Sequence, residues 1–202
     1  MTRMRIAPIV EGDGEVAAVP VLLRRVWSAM DPGGHVDVLR PIRKPRDRLL
    51  RQADLDSAIQ LAASKLSERR ESGTSELVLV LVDAHDDPAC ALGPRLLDSA
   101  RLARPDLDVA CVVAQVEYET WFVASAPTLG RYLALGAGED LPEAPEAARL
   151  GKGWIQKRIR KPKYSETVDQ PALTASIDVA LCRGRSPSFD KLCRELERRL
   201  GR

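Results

Sequence analysis

Two acidic residues stand directly after apolar runs of this sequence. Glu11 follows the run Met4–Val10 and opens a turn that contains glycine, and Asp83 follows the run Glu76–Val82. A parallel strand that is buried on both faces is apolar along its length, so an acid at its end lies at the carboxyl edge of the sheet. Carboxylates that gather at one edge repel one another and favour a cation. We therefore expect Glu11 and Asp83 to come from neighbouring strand ends and to hold a metal ion.

The residues after Asp83 offer further ligands, namely His85, Asp86 and Asp87. We expect at least one of the three to share the ion. A neutral imidazole suits zinc or manganese better than magnesium, which prefers oxygen ligands. A turn followed by a helix start would explain Asp86 and Asp87 without a metal. It would not explain Asp83 at the end of a buried strand.

Two more acids, Glu117 and Glu119, follow the apolar run Val109–Ala114 and are expected at the same edge of the sheet. Glu117 in particular could complete a second metal site. Acids in the first turn of a helix also stabilise the helix dipole, which is an equally good explanation for Glu117 and a better one for Glu119.

The elements that must position these residues alternate along the chain. Continuous apolar runs and helical periodicity predict strands and helices in turn. The predicted strands are Met4–Val10, Val36–Leu39, Glu76–Val82 and Val109–Ala114. The predicted helices are Val16–Met30, Gln52–Arg70, Pro94–Ala103, Thr120–Ala126, Thr174–Leu181 and Pro187–Leu200. This alternation indicates an α/β protein with a mainly parallel sheet flanked by helices.

The composition sets limits on the class of protein. The chain has 202 residues, of which 45% are hydrophobic, and its 31 basic and 29 acidic residues leave a net charge of +2. We expect an α/β core over residues 1–132 and a helical, basic portion over 133–202 that packs on it. No apolar run approaches the roughly 20 residues that a membrane-spanning helix needs, so a cytoplasmic location is expected. The four cysteines form no C-x-x-C pair and are expected to be free thiols.

The C-terminal portion contains a dense basic segment. Its cations are candidates for contact with substrate phosphates, and they are Lys157, Arg158, Arg160, Lys161 and Lys163. Such a segment binds a phosphate backbone or is simply a solvated surface, and the sequence leaves both open.

These motifs resemble a known family. A strand that ends in Glu before a glycine turn, and a later strand that ends in an acidic cluster, resemble the Toprim core of topoisomerases, primases and overcoming-lysogenization-defect nucleases. The closer resemblance is to a bacterial Toprim-like family, the domain-of-unknown-function family 4276. The segments that carry it are Val10–Gly12, Val82–Ala84, Glu117–Phe122, Lys163–Tyr164 with Asp169–Gln170, and Ser186–Phe189.

The Toprim resemblance implies a function and a cofactor. It makes Glu11 the catalytic glutamate, with Asp83 and a neighbour holding Mg²⁺ or Mn²⁺, in a nuclease or related phosphotransfer protein that acts on nucleic acid in phage defence. The strict Toprim pattern places an acid at position 85, where this chain has His85. The alternative is a non-catalytic regulatory or nucleotide-binding partner of an ATPase. This sequence has no Walker A motif, so any ATPase activity would have to come from that partner. The sequence leaves open whether the protein forms a homo-oligomer.

One further pattern indicates a different ligand. Gly12–Ala17 fits the G-x-G-x-x-A fingerprint of dinucleotide binding. Glu11, Asp13 and Glu15 would surround the pyrophosphate with negative charge, so we expect no nicotinamide cofactor.

Overall fold

A five-stranded sheet forms the centre of the protein, and each strand pair in it is parallel. The computed structural model describes residues 2–68, 72–136 and 138–200. The strands are β1 (Arg3–Val10), β2 (His35–Val38), β3 (Ile42–Arg43), β4 (Ser75–Asp83) and β5 (Val109–Ala114). Their order across the sheet is β2-β1-β4-β5, and the short β3 pairs with the end of β1. This arrangement confirms the predicted α/β class and is consistent with a Rossmann-like fold.

Helices connect the strands and complete the C-terminal portion. They are α1 (Asp13–Met30), α2 (Arg46–Leu49), α3 (Gln52–Ser67), α4 (Ala89–Ala103), α5 (Glu119–Ala124), α6 (Lys152–Gln156), α7 (Glu166–Thr174), α8 (Val179–Arg185) and α9 (Pro187–Glu197), with a 3₁₀ turn over Ala126–Thr128.

The sheet is buried on both faces, which explains why β4 is apolar without alternation. Leu77, Leu79 and Leu81 of β4 pack in one core with α1, α5, α7 and α9. The side chains between them, Val78 and Val80 among others, pack in a second core with α3 and α4. Side chains on both faces of β4 are therefore apolar. The first core also contains residues of the C-terminal portion, namely Leu133, Ile155, Tyr164, Leu173 and Phe189.

The connections that follow β1 and β4 lead to opposite faces of the sheet. These two strands are neighbours, yet α1, which follows β1, covers one face of the sheet, while α4, which follows β4, covers the other. The loops that leave the two strands therefore separate and open a crevice at their carboxyl ends. In open α/β sheets this is the place where ligands bind.

Two predicted helices differ from the structure by more than three residues at a boundary. Helix α4 begins at Ala89 instead of Pro94, because Pro94 lies in its second turn, where a proline removes a single intrahelical hydrogen bond. The helix predicted over Thr174–Leu181 is wrong. Helix α7 ends at Thr174, and a new helix, α8, begins at Val179. Asp178 is the N-cap of α8, and its side chain accepts the N–H of Leu181 at 2.8 Å.

Two other predictions concern sequence composition. The four cysteines are free thiols, as expected. Among the described residues, no helix combines the length and the apolar character that crossing a bilayer requires.

Candidate metal centre at the carboxyl edge of the sheet

Glu11 and Asp83 meet at the crevice between β1 and β4. The register pairs Val10 with Leu81, so the two acids stand at adjacent strand ends. The Glu11 carboxylate accepts the backbone N–H of Asp83 at 3.1 Å, and its other oxygen lies 3.5 Å from His85 Nε2. One ligand atom from each of these three residues lies within 4.8 Å of the others. The convergence expected from the sequence is thus confirmed, with His85 as the third member.

The donor set of this group fits a divalent cation. Ligand atoms that share an ion at about 2.1 Å stand roughly 3 to 4 Å apart, so the present spacing needs only a small side-chain adjustment. Two carboxylates balance the charge of one divalent ion. His85 adds a nitrogen ligand and is half exposed, whereas the Glu11 side chain is 14% exposed. These three residues could therefore hold a metal ion that remains reachable from solvent.

Asp83 of this group is buried, and so are two further carboxyl groups that interact with it, those of Glu15 and Glu119. Burial, and then the charges of Glu15 and Glu11, raise the pKa of Asp83 well above its usual range. Burial raises the pKa of Glu15 to about 8, and burial also raises the pKa of Glu119. Each carboxylate is 8% exposed or less. An ionised form of this cluster is costly without a counter-charge, so the cluster takes up protons or a cation.

Glu15 was not expected among the site residues. Its carboxylate accepts the N–H groups of Glu11 at 3.0 Å and of Gly12, the N-cap of α1, at 3.1 Å. This is one half of a capping box, because glycine has no side chain to accept a bond in return. This contact holds the backbone of Glu11 in place. The sequence carries only part of the signal, because Glu15 stands three residues after the N-cap but Gly12 takes the place of the usual serine or threonine.

Glu119 is held by residues from the C-terminal portion. Tyr164 Oη and Gln170 Nε2 donate to one of its oxygens, at 3.0 and 3.1 Å. Through Tyr164 and Gln170, the motif Lys163–Tyr164 with Asp169–Gln170 thus holds the Glu119 carboxyl group of the acidic cluster in position. No local sequence pattern predicts these contacts, since the partners lie 45 and 51 residues from Glu119.

The other predicted metal ligands have partners of their own. Asp87 pairs with Arg46, and Asp86 pairs with Arg149 at 2.6 Å. Glu117 accepts the backbone N–H of Lys152 at 2.6 Å. Among the described residues, the group with three converging ligand atoms contains none of these acids.

Backbone strain is concentrated at the same place. Of the described residues other than glycine, those with positive φ are His85 (51°), Val116 (70°) and Arg149 (51°). They touch: the His85 N–H donates to the Val116 carbonyl at 2.8 Å, and Arg149 donates to the His85 carbonyl at 3.2 Å. The left-handed region is unfavourable for non-glycine residues, most of all for the β-branched Val116. Strain of this kind persists where the surrounding structure fixes a functional geometry.

The basic residues predicted to bind phosphate divide into two groups. Arg158 pairs with Glu139 and stacks on Trp154, Arg160 donates to backbone carbonyls, and Lys161 pairs with Asp169 at 2.6 Å. Lys157 and Lys163 are exposed and make no ion pair with any described residue. With Lys152, Lys163 lines a cleft of about 600 Å³ beside the acidic cluster.

The structure argues against a dinucleotide at the start of α1. A Cβ on Gly14 would stand 2.3 Å from Gln170 Oε1 and 2.8 Å from the Glu166 carbonyl, so α7 covers this end of the helix. The Glu15 carboxylate already occupies the N–H groups of Glu11 and Gly12. Gly14 therefore permits close packing of the two helices.

Comparison with known proteins gives one match. The family model described as "Domain of unknown function (DUF4276)" matches residues 10–197, which include the three converging residues. No curated protein matches the chain, and no solved structure does. The relation to the Toprim core stays a prediction from the motifs.

Proposed function

Since this chain belongs to the family described as "Domain of unknown function (DUF4276)", we propose a function from its own geometry: a divalent-metal-dependent phosphodiester hydrolase that cleaves nucleic acid. The observation that carries the proposal is the convergence of Glu11, Asp83 and His85 in the crevice between β1 and β4, above buried acids with raised pKa values. A phosphodiester is a substrate that needs a cation at such a site, because its own charge would be repelled by the carboxylates.

The charges around the acidic centre support an anionic substrate. Arg46 donates to the Asp83 carbonyl at 3.0 Å, and Arg149 donates to the His85 carbonyl at 3.2 Å, so guanidinium groups flank the metal group on the β4–α4 loop. The Arg149 side chain is 52% exposed. Arginine presents several donors in one plane and matches a phosphate well. Both arginines also pair with acids of this loop, Arg46 with Asp87 and Arg149 with Asp86, so a bound phosphate would share their donors with these carboxylates.

The three converging residues have distinct roles in this proposal. Glu11 and Asp83 supply the oxygen ligands, and His85 supplies a nitrogen that favours Mn²⁺ over Mg²⁺. The bound ion would neutralise the non-bridging oxygens of the phosphate and lower the pKa of an attacking water. Glu15 and Asp83 fix the position of Glu11 through its backbone N–H and its carboxylate. Arg149 orients the phosphate.

The substrate strand has a path away from this centre. The cleft that Lys152 and Lys163 line begins beside Glu117, which accepts the Lys152 N–H. The Lys152 ammonium pairs with Glu166 of the same cleft, so Lys163, which makes no ion pair with a described residue, supplies the ammonium group for the next phosphate. A role in phage defence belongs to this proposal through the Toprim resemblance alone, and a cytoplasmic location belongs to it as an expectation from the sequence. A non-catalytic partner of an ATPase is the alternative.

A cleavage assay tests the proposed function. We expect the wild-type protein to cut labelled single-stranded DNA, duplex DNA or RNA with Mn²⁺ and to stop when a chelator is added. Glu11→Gln should abolish cleavage. The matched control is Asp13→Asn, two residues away, whose side chain is 67% exposed and pairs with Arg43. This variant should keep the activity.

Two outcomes would contradict the proposal. Equal loss of cleavage in both variants would mean that Glu11 has no special role. A wild-type protein that binds Mn²⁺ but cuts no nucleic acid, alone or with a candidate ATPase, would favour the non-catalytic alternative.

A further inference from the structure

The outer edge of β5 is open. This strand pairs with β4 alone among the described strands. The carbonyls of Asp108 and Ala114 accept N–H groups from the β4 side, at 3.0 and 2.8 Å. Because the backbone groups of a strand alternate in direction, the even-numbered residues of β5 bond to β4. The N–H and C=O groups of Cys111 and Val113 therefore point away from the sheet.

These outward backbone groups have no protein partner within the described part of the chain. At the next odd-numbered residue, Gln115, the outward N–H does have a hydrogen-bond acceptor, because it donates to Ser188 Oγ at 3.2 Å. Cys111 and Val113 are each only 5% exposed, and no hydrogen bond joins their backbones to any other described element. Backbone donors and acceptors at a sheet edge are a template for an added strand.

A cleft runs along this edge between α4 and α9. It has a volume of about 550 Å³, and its floor contains Cys111, Val113 and Leu97. Three cations also line it, namely Arg101, Lys191 and Arg194. Arg101 makes no ion pair with a described residue, whereas Lys191 and Arg194 pair with acids of their own helix.

Most charges of the cleft are already balanced, and Arg101 is the cation that makes no ion pair with a described residue. Glu146 lines the cleft but accepts from Ser188 Oγ at 2.6 Å and from the hydroxyl of Ser186, so its charge is directed into the protein. Asp98 is the other acid among the lining residues. The cleft thus offers one cation that no described acid pairs with, Arg101, beside an apolar floor.

A second copy of the chain does not fit this edge. Paired strands must approach to about 4.8 Å. The edge of β5 lies at the bottom of a cleft with helical walls, and the β5 edge of a second copy would be recessed in the same way. A single extended segment without flanking helices can enter.

We infer that this cleft is the docking site of a partner protein, which adds one extended segment to β5, with apolar side chains over Leu97 and acidic side chains toward Arg101. The segment would bond to the backbones of Cys111 and Val113. This surface is separate from the proposed metal centre and does not depend on it.

A probe peptide tests the inference on the full-length protein. The probe is a labelled seven-residue peptide of alternating valine and glutamate, and its control alternates valine and lysine. We expect the acidic probe to bind with one-to-one stoichiometry and the basic probe to bind at least about tenfold more weakly, because the cation without an ion pair in the cleft, Arg101, attracts glutamate and repels lysine. Amide exchange should slow at Cys111 and Val113 when the acidic probe is added, and remain as it was at Ala110 and Val112.

Variants locate the binding. A Cβ on Gly93 would meet Val113 Cγ2 at an ordinary 3.7 Å, so Gly93→Leu should fold and fill the cleft, and binding should be lost. Arg101→Glu should weaken binding of the acidic probe about tenfold. Arg95→Glu, on the same helix but outside the cleft, is the matched control and should bind as the wild type does.

Three results would overturn the inference. They are no binding of the acidic probe at millimolar concentration, equal binding of the acidic and basic probes, and a dimer in solution that already protects the amides of Cys111 and Val113.

Discussion

The carboxylate of Glu11, one residue beyond β1, accepts the backbone N–H of Asp83 at the end of β4, at 3.1 Å. This bond joins the two loops that diverge at the crevice of the sheet. It also holds one carboxylate oxygen close to a second, buried carboxyl group, although the two charges repel. The fold therefore maintains an arrangement that is unfavourable until a proton or a cation arrives.

Asp83→Asn should abolish metal-dependent cleavage and leave the metal-free protein equally or more stable. The substitution removes one charge from a buried cluster and so relieves repulsion. Thermal unfolding should show a melting temperature at or above the wild-type value without metal, and no increase with Mn²⁺. Asp86→Asn is the matched control, because this side chain is 98% exposed and pairs with Arg149. A response to Mn²⁺ that survives in Asp83→Asn would remove Asp83 from the ligand set.

His85→Asp should move the metal preference from Mn²⁺ toward Mg²⁺. A third carboxylate makes the ligands all oxygen, which magnesium prefers, and aspartate tolerates the left-handed backbone at this position better than most residues. The shift in melting temperature with each ion measures the preference. His35→Asp, at the exposed start of β2, should leave it unchanged. An unchanged preference in His85→Asp would mean that residue 85 does not touch the ion.

The metal-free protein should lose stability as the pH rises from about 4.5 to 8. The pKa of Glu15 is about 8 in the folded protein, against 4.5 ordinarily. Its contribution is fully present below pH 4.5 and is lost as the pH rises through 8, because only the folded state keeps the proton in that window. The slope is at most about 1.4 kcal/mol per pH unit for one proton. Urea unfolding at several pH values measures it.

Two changes should reduce this slope. Glu15→Gln removes the titrating group but keeps an oxygen that can accept the N–H groups of Glu11 and Gly12, so the curve should flatten. Mn²⁺ should flatten it as well, because the ion replaces the proton as counter-charge. A wild-type stability that rises across this window would show that the buried acids are ionised in the folded protein.

Neutralising Lys157 and Lys163 together should weaken nucleic-acid binding and make its salt dependence shallower. Two fewer phosphate contacts reduce the slope of log K against log salt concentration by about 1.5. Arg158→Gln with Lys161→Gln is the matched pair, since these charges already face Glu139 and Asp169. That pair should change the slope little. Titrations of a labelled oligonucleotide at several salt concentrations compare the two, and equal effects would contradict the assignment.

Gly14→Ala should destabilise the protein by about 1 to 3 kcal/mol, because its Cβ would enter the space of Gln170 and the Glu166 backbone. Gly12→Ala is the control. Its Cβ would meet Glu15 at an ordinary 3.7 Å, so its free energy of unfolding should be close to that of the wild type. If Gly14→Ala were as stable as the wild type, close packing against α7 would not be the role of this glycine.

Much of the centre was predictable because its signals are local. A run of apolar residues that ends in an acid indicates a buried strand with a carboxylate at its edge, and this placed Glu11 and Asp83. The same kind of signal gave four of the five strands and the α/β class. The two-residue strand β3 was too short to leave a pattern.

The tertiary structure alone decided the partners of the charged residues. The sequence offered His85, Asp86 and Asp87 as alternatives for the same ion and Glu117 for a second site, and of these four only His85 joins Glu11 and Asp83 within the described chain. Arg46, Arg149 and the Lys152 backbone, all distant in sequence, engage the other three. The sequence determines the type and charge of each side chain. The pairing of charges depends on distances between side chains, which are set only when the sheet and its loops have formed. For the same physical reason, the burial that raises the pKa values of Glu15, Asp83 and Glu119 belongs to the fold.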